Sequence, residues 1–366
     1  MSYLDDLEKI CKINSFTKNK KGVDIVGKQM QHWLEELGFN TTIYKRENLG
    51  DHQLFITPKT EGEKILLLGH NDTVFPPDTF ESFTSDDDWI YGPGVCDMKG
   101  GNIVALESLR SINKNTTIKN IDFLLVSDEE TGSDDSKSLT LELAKNYDYC
   151  FVFEAAGENL EIVTGRKGVG TYTITCEGKA AHAGTSYLKG INANLEAAYK
   201  LQELTKLTNL DIGTTVNVGK ITGGIGANTI SPKCELLLEI RYKTNNERDR
   251  LLKSLDDITN KSYVEGTVSK LEGLIQRDVM EPNEKQSLFI KKLENITNTK
   301  IKTEQRGGVS DANHVSSCGV VTLDGFGPFG DGDHTIHERA LKSSFKQRIQ
   351  MMIEILTYHQ SNNFHF

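Results

Sequence analysis

The sequence predicts an α/β fold, with a doubly wound sheet that carries an inserted ferredoxin-like α+β domain. One reason is that short, wholly apolar runs, typical of strands buried on both faces, alternate with segments of helical periodicity. A second is a change of pattern near Lys167, after which the predicted strands alternate polar and apolar residues, as in a sheet with one face in water. A third is the length of 366 residues, which is enough for two hydrophobic cores.

The outer part of the chain begins with two amphipathic helices and continues with buried strands. Leu4, Leu7 and Ile10 share one helical face, and Gly38 follows the second helix in the usual C-terminal position. The strand predictions rest on apolar runs such as residues 65–68. In chain order we predict helices up to Cys11 and over 23–37, a strand over 64–70, a helix over 98–112, and strands over 121–127 and 149–153.

The inserted part shows the order β-α-β-β-α-β, which is that of a ferredoxin-like sandwich. Helix-rich α/β character returns from Gln286. The predicted elements are a strand over 170–176, a helix over 192–206, strands over 214–222 and 233–242, a helix over 246–260, a strand over 269–276 and a last helix over 341–359. The chain is therefore predicted to form an outer domain from residues 1–167 and 278–366, with residues 168–277 inserted in it.

Charge and cysteine spacing exclude several classes of protein. The net charge of -10 argues against a nucleic-acid partner, because such proteins need basic surfaces. The six cysteines form no CxxC pair, which favours free thiols in a reducing compartment. The N-terminal sequence lacks the apolar stretch of a signal peptide, and no run approaches the roughly 18 apolar residues of a membrane helix. We therefore expect a cytoplasmic protein with no membrane partner.

Two motifs near the first buried strand offer metal ligands. In Gly69-His-Asn-Asp-Thr-Val74, His70 and Asp72 are two residues apart, so they lie on the same side of an extended chain. A metal-binding histidine needs an acceptor for its other nitrogen, and Asp72 is placed to be that acceptor. In the glycine-rich segment 92–101, Asp97 precedes a predicted helix and can bridge two cations. A strand-end turn and a helix N-cap are the alternatives for these aspartates.

Two further motifs follow the next buried strands. Glu129 and Glu130 are adjacent in Ser127-Asp-Glu-Glu-Thr-Gly-Ser133, and like charges at a strand end repel unless a cation is near or one carboxyl is protonated. One of the two can therefore be a general base and the other a ligand. Glu154 follows the apolar strand 149–153. A solvated acidic loop and a simple exit of the strand into water are the alternatives.

The last motif, Gly330-Asp-Gly-Asp-His-Thr-Ile-His-Glu338, offers His334 and His337 in a glycine-rich loop, and only one of them need be a ligand. Together the motifs supply two imidazoles and three carboxylates at the expected carboxyl ends of strands, where open α/β sheets bind ligands. This donor set suits zinc, with manganese or cobalt as alternatives. Three carboxylates and one hydroxide balance the charge of two divalent cations. The sequence therefore predicts a two-metal site.

These five motifs, in this order, resemble those of the M20 metallopeptidase family, in particular its glutamate carboxypeptidase (carboxypeptidase G2-like) branch. The resemblance extends over essentially the whole chain. It implies a zinc-exopeptidase-like catalytic domain, residues 1–167 and 278–366, and a lid and dimerisation domain, residues 168–277. Asp97 stands where amidohydrolase relatives have a cysteine, so the sequence resembles the peptidase type.

The resemblance also implies a role for each matched residue. The family spacing H-x-x-x-E selects His334 over His337, because Glu338 follows His334 by four residues. The resemblance assigns His70 and Glu154 to one zinc ion of each subunit, Glu130 and His334 to the other, and Asp97 to both as a bridge.

The same resemblance implies a mechanism and a backbone feature. Asp72 is expected to orient His70, and Glu129 to be the catalytic acid and base for a metal-bridging hydroxide that attacks the amide carbonyl. The peptide bond between Asp97 and Met98 is expected to be cis.

Recognition of the substrate is assigned, again by resemblance, mostly to the lid domain. His182, in Ala180-Ala-His-Ala-Gly184, matches an oxyanion-stabilising histidine that reaches into the site of the partner subunit. Asn228 and Arg241 match residues that bind a substrate carboxylate, for which the planar guanidinium is suited. A salt bridge on the strand face is the alternative for Arg241. Gly308 belongs to a substrate-binding glycine loop.

The expected substrate is a short peptide or acyl-amino acid that is cleaved next to a free carboxylate, and the expected assembly is a homodimer through the lid domain. Two other reactions stay open for the same site. One is removal of a succinyl or acetyl group by an N-acyl-amino-acid deacylase, and the other is aminopeptidase action on di- or tripeptides. A catalytically inactive scaffold protein is a further alternative, which the complete ligand set disfavours.

Overall fold

The computed structural model describes residues 3–364 and divides the chain into two compact units. The outer unit comprises the residues up to Gly165, the segment Pro282–Arg306 and the residues from Ser310 onwards. The inserted unit comprises Arg166–Glu281 and Gly307–Val309. The assignment of a catalytic role to residues 1–167 and 278–366, and of a lid role to 168–277, stays a proposal.

The outer unit contains most of the helices and strands. Its strands are β1 Asn40–Tyr44, β2 His52–Ile56, β3 Ile65–His70, β4 Thr84–Ser85, β5 Trp89–Tyr91, β6 Ile121–Val126, β7 Tyr149–Val152 and β8 Ile162–Arg166, followed after the insertion by β13 Thr303–Arg306, β14 Val321–Leu323, β15 Gly330–Asp331 and β16 Arg339–Leu341. Its helices are α1 Tyr3–Cys11, α2 Lys20–Glu35, α3 Lys99–Asn113, α4 Ser136–Ala144, α7 Glu284–Thr297, α8 Ala312–Ser317 and α9 Lys342–Ser361.

The main sheet of the outer unit determines where a ligand can bind. Its six strands have the order β1-β2-β6-β3-β7-β14, and β6, β3, β7 and β14 run parallel. Every residue of β3, β6 and β7 is buried, as expected for strands covered on both faces. The chain continues from β3 to β6 on one side and then to β7 on the other, so the carboxyl end of β3 is a topological switch point.

The inserted unit has the predicted β-α-β-β-α-β order. Its elements are β9 Gly168–Glu177, α5 Ala193–Thr205, β10 Thr215–Gly223, β11 Lys233–Tyr242, α6 Asn245–Asn260 and β12 Val268–Arg277. The antiparallel sheet has the order β10-β11-β9-β12. Alternate residues of β11, such as Leu236, Leu238 and Ile240, form a core with Ala197 and Leu255 of the helices. The predicted fold class, a doubly wound sheet with an inserted ferredoxin-like domain, is confirmed.

The two ends of the inserted unit lie next to each other in space. The backbone N–H of Arg166 donates to the carbonyl of Met280 at 3.0 Å, and the N–H of Met280 donates to the carbonyl of Arg166 at 3.1 Å. This pair of hydrogen bonds closes the unit on itself.

Several elements of the outer unit were not predicted. Strand β2 is largely buried but begins with His52 and Gln53, so its apolar run is only three residues long. Strand β1 is largely exposed and lacks a hydrophobic pattern. Between residues 3 and 364, no helix combines the length and apolar character that crossing a membrane requires.

Candidate metal centre

The carboxyl edge of the main sheet collects the acids and imidazoles predicted to bind metal. His70 is the last residue of β3, Glu130 lies four residues beyond β6, and Glu154 lies two residues beyond β7. Asp97 lies just before α3, and His334 lies in the loop between β15 and β16. The parallel strands end at one edge, so the three strand-end residues converge.

Two groups of donor atoms form there, and Asp97 belongs to both. In the first group His70 Nε2 lies 3.3 Å from Asp97 Oδ1 and 3.8 Å from Glu154 Oε1. In the second, His334 Nε2 lies 3.3 Å from Asp97 Oδ2 and 3.1 Å from Glu130 Oε2. The ligand atoms of each group all lie within 4.8 Å of one another. Asp97 therefore presents one oxygen to each group, as a bridging carboxylate would.

The donor chemistry of these groups fits two divalent cations. Burial and then the charge of Asp97 raise the pKa of both Glu130 and Glu154 well above the usual range. Hydrogen bonds with Asp97 and Glu130 raise the pKa of His334 to about 11. Three carboxylates this close to one another need either protons or cations between them. Two cations held by imidazole and carboxylate ligands would supply that charge.

Asp72 lies behind His70 and is fully buried. His70 Nδ1 lies 3.0 Å from the carbonyl oxygen of Asp72 and 3.3 Å from its Oδ1. The Thr17 hydroxyl donates to Asp72 Oδ2 at 2.7 Å, and the backbone N–H of Glu130 lies 3.3 Å from the same oxygen. Asp72 can therefore fix the ring of His70, as an outer acceptor does for a metal-binding histidine.

Sequence reasoning missed two residues that hold the backbone of this edge. Asn102 of α3 donates from Nδ2 to the carbonyl of His70 at 2.7 Å, and Thr17 makes the contact with Asp72. A Cβ atom on Gly69 would lie 2.1 Å from Asn102 Oδ1, so the glycine allows α3 to approach β3. In the sequence, Gly69 beside His70 indicates a close approach of another element, which the structure shows to be α3 with Asn102. No pattern in the sequence indicates the contact of Thr17.

Glu129 and Glu130 lie in a short 3₁₀ turn, Glu129–Thr131, that follows β6. The turn ends at Gly132, whose φ of 103° is readily adopted by glycine. Glu130 directs its carboxylate to His334, and Glu129 is the neighbouring, half-buried acid. The catalytic role of Glu129 stays a proposal.

The structure distinguishes the two histidines of the last motif. His334 lies in the second donor group, whereas the exposed His337 belongs to neither group. His334 has a φ of 61°, a left-handed conformation that is uncommon outside glycine and recurs at functional sites. The peptide bond between Asp97 and Met98 is cis, as the family resemblance implied.

Two of the predicted recognition residues are neighbours within the inserted unit. His182 pairs with Thr229 in a short antiparallel bridge, and the N–H of Ala183 donates to the carbonyl of Asn228 at 2.9 Å. The backbone N–H groups of Gly184 and Thr185 lie 3.1 and 3.2 Å from His182 Nδ1. Because Nδ1 accepts these hydrogen bonds, a neutral His182 carries its proton on Nε2 and can donate from there.

Arg241 and Gly308 also lie in the inserted unit, near one another in space. The guanidinium of Arg241 pairs with Glu239, from Nε to Oε1 at 2.7 Å and from Nη2 to Oε2 at 3.3 Å. Its Nη1 donates to the carbonyl of Gly307 at 3.2 Å, and Arg166 donates to the carbonyl of Gly308 at 3.1 Å. The salt bridge left open as the alternative for Arg241 is therefore present.

Comparisons with known proteins relate the chain to metallopeptidases and amide hydrolases. A sequence model of the peptidase dimerisation domain of the M20 family matches residues 164–267, and one of peptidase family M28 matches residues 54–211. Carboxypeptidase G2 of Pseudomonas sp. is 28% identical over 342 residues, which cover 90% of this chain and 82% of the relative. An acetylornithine deacetylase of Vibrio parahaemolyticus is 30% identical over 229 residues, 57% of this chain and 58% of that relative.

A solved structure extends the comparison to the whole fold. Aminopeptidase PepT from Bacillus cereus superposes with a TM-score of 0.81 at 21% identity and covers 97% of both chains. At that identity the superposition shows the shared fold. From the match to the M20 dimerisation domain and the carboxypeptidase G2 match over 90% of the chain, this chain is similar to the hydrolases of the M20 peptidase family.

Proposed function

We propose that this chain hydrolyses the amide bond of a short peptide or acyl-amino acid next to a free carboxylate, with two zinc ions per subunit. The observation that carries the proposal is the position of Asp97, whose two oxygens face two separate imidazole and carboxylate groups. Manganese or cobalt can take the place of zinc, because the donor set suits all three ions.

In this proposal His70 and Glu154 hold one ion, Glu130 and His334 hold the other, and Asp97 holds both. When bound, the ions polarise the amide carbonyl and lower the pKa of water toward neutrality. The chain itself supplies the orientation of the ligands, since Asp72 contacts the Nδ1 side of His70. It also supplies the proton carrier.

Glu129 is the proposed proton carrier. It accepts the proton of the attacking water and later donates a proton to the leaving amine. Its position supports this role, because it directly precedes the ligand Glu130 in the turn after β6 and is only half-buried.

Substrate recognition is proposed for the residues of the inserted unit. Arg241 would bind the free carboxylate, with Asn228 beside His182 and the glycine loop at Gly308 completing recognition. The guanidinium of Arg241 pairs with the carboxylate of Glu239, and the proposal is that a substrate carboxylate is bound by the same planar group. His182 would donate from Nε2 to the oxyanion.

A homodimer through the inserted unit is proposed as the assembly. The match to a dimerisation domain supports it, and so do Leu195 and Tyr199 on α5 and Ile221 on β10, which are exposed apolar residues. Strand β10 is at the edge of its sheet and has unpaired backbone groups to offer. The six cysteines are free thiols, which supports a location in the cytoplasm.

Deacylation is the second candidate function, because the acetylornithine deacetylase relative matches more than half of the chain. It would use the same centre with a different leaving group. Aminopeptidase activity on tripeptides is the third, in view of the aminopeptidase PepT superposition.

The test is a screen of purified protein of measured metal content. C-terminal glutamate dipeptides, N-acetyl and N-succinyl amino acids, and tripeptides with a free amino group are compared before and after treatment with a chelator. We expect chelator-sensitive hydrolysis of substrates that carry a free carboxylate at the cleaved residue. Metal-loaded protein that hydrolyses none of the three classes would refute the proposal.

A further inference from the structure

Glu338 is a fully buried acid that belongs to neither group of metal ligands. Its carboxylate accepts three backbone hydrogen bonds from the segment just before α3. Oε2 accepts from Gly94 N–H at 2.9 Å, and Oε1 accepts from Cys96 N–H at 3.0 Å and Asp97 N–H at 3.1 Å. The segment thus wraps its N–H groups around one anion, as in the anion-binding turns known as nests.

The three hydrogen bonds hold the residue on which the whole centre depends. The segment 92–98 lies outside the helices and strands of the described chain, so helix or sheet pairing does not satisfy its N–H groups. The Glu338 carboxylate accepts three of them, those of Gly94, Cys96 and Asp97. Asp97, at the end of the segment, faces both donor groups. A displacement of its backbone would therefore disturb both ion positions together.

Glu338 also connects this segment to the loop that carries His334. It lies four residues after His334 and just before β16, whose residue Arg339 pairs with Tyr91 of β5. The backbone N–H of Gly92 donates to the carbonyl of Glu338 at 3.3 Å. Main-chain pairing and the carboxylate therefore link the two segments that provide Asp97 and His334.

A buried lysine also contacts the segment. The side chain of Lys99 lies beside Gly94, since a Cβ atom there would be 3.0 Å from Lys99 Cδ. Lys99 Nζ donates to the carbonyls of Ile10 and Ile13 at 3.1 and 3.0 Å. The segment thus contacts both a buried acid and a buried base, and each of these side chains forms hydrogen bonds with backbone groups.

We propose that Glu338 is a positioning residue that fixes Asp97 between the two ion positions and links it to the loop of His334. The inference rests on the proposed function for the identity of the ions. Glu338 belongs to neither group of donor atoms, so the proposal gives it no direct contact with an ion. Hydrogen-bond partners of metal ligands typically alter metal affinity or activity by about 10- to 100-fold when they are replaced.

The test is the zinc affinity of Glu338→Gln, measured by competition with a chelator in the absence of substrate. The amide keeps the volume but places an NH₂ group against an N–H donor of the segment. We expect affinity for at least one ion to fall about 10- to 100-fold.

The matched control is Asp122→Asn, at the opposite end of β6. Asp122 is also buried, and it accepts hydrogen bonds from Thr57 N–H at 2.9 Å and from the Tyr147 hydroxyl at 2.6 Å. The control should lower the melting temperature of the metal-free protein without changing its zinc affinity. Unchanged zinc affinity in Glu338→Gln, or equal losses in both variants, would overturn the inference.

Glu338→Asp covers the case in which Glu338→Gln does not fold. The aspartate keeps the charge but is one methylene shorter, so we expect a folded protein with weakened zinc binding and an altered absorption spectrum of the cobalt-loaded form. A folded aspartate variant with wild-type affinity and spectrum would also contradict the inference. A wild-type chain that binds two ions but hydrolyses no amide contradicts the proposed function alone, because these measurements need no substrate.

Discussion

The candidate residues of the outer unit and those of the inserted unit differ in how firmly they are held. In the outer unit, His70 is 1% exposed and its ring contacts Asp72, Asp97 and Glu154. In the inserted unit, His182 is exposed, and its ring nitrogen accepts hydrogen bonds only from backbone N–H groups of its own loop. His70 in the candidate metal centre is therefore held more firmly than His182 in its exposed loop.

The largest expected effect concerns Glu129, the proposed proton carrier of the outer unit. Glu129→Gln should keep two metal ions per subunit and lower kcat about 10²- to 10⁴-fold, because general acid–base catalysis contributes that much. Turnover numbers and metal content of the same preparation are the measurements. A variant that keeps metal and retains wild-type kcat would remove Glu129 from the mechanism.

The number of metal ions bound by variants of the outer unit tests whether Asp97 binds both ions. Asp97→Asn should lose both ions, because Asp97 belongs to both donor groups, whereas Glu154→Gln should lose one. Metal content after dialysis against a weak chelator distinguishes the two cases. Equal losses in the two variants would mean that Asp97 does not bridge.

A buried ion pair tests whether the inserted unit has its own stability. Lys200 and Glu196 are both buried and lie 2.9 Å apart, and Lys200 Nζ also donates to the carbonyl of Ile258 at 2.7 Å. Glu196→Gln leaves the lysine charge buried and should cost about 3–5 kcal/mol of unfolding free energy.

The matched control for this ion pair is Glu203→Gln, which removes the exposed partner of Lys206 and should change the melting temperature little. Calorimetry and metal content are recorded for both variants. We expect the inserted unit to melt earlier in Glu196→Gln while metal content is kept, and loss of metal at room temperature would contradict this separation.

A smaller effect is expected at the recognition residues. Arg241→Ala should raise KM for substrates with a free carboxylate by about 10- to 100-fold, since hydrogen bonds to charged groups contribute roughly 1.5–3 kcal/mol. Amidated substrates provide the comparison and should show little change. An equal rise in KM for both kinds of substrate would leave Arg241 as the strand-face partner of Glu239 and nothing more.

The smallest expected effect is a change in the pH dependence of stability, caused by the buried His359 of the outer unit. Burial lowers the pKa of His359, although its hydrogen bond to the carbonyl of Glu63 opposes the shift. The unfolded chain takes up a proton at this histidine below about pH 6.5, whereas the folded chain resists it, so stability falls as the pH decreases through that range. His359→Asn should lose less unfolding free energy than wild type between pH 7.5 and 5.5. A larger loss of unfolding free energy in the variant than in wild type would contradict this prediction.

The sequence predicts well those parts of the fold that depend on local pattern. Strand β3 and strand β11 were predicted within one residue, because an apolar run and a strict alternation identify them. Strand β2 was missed because the buried His52 and Gln53 break its pattern. Contacts that arise only after folding cannot be found in this way.

In the candidate site, too, the features with a local sequence pattern were predicted and the contacts between distant residues were not. The five candidate ligands could be named because each motif follows a recognisable strand or glycine-rich turn. The structure brings all five together, and their role as ligands stays a prediction. The hydrogen bonds from Thr17 to Asp72 and from Cys96 to Glu338 join residues 55 and 242 positions apart. Predicting them requires the pairing of β16 with β5 and the path of the first helices, which no local pattern contains.

The paired backbone of Arg166 and Met280 has a consequence for how this protein can be rebuilt. The two ends of the insertion are hydrogen-bonded neighbours, so everything between them can be cut out and the gap closed by a loop of a few residues. The same junction can accept a foreign domain whose termini are equally close. One outer unit can in this way carry different inserted domains.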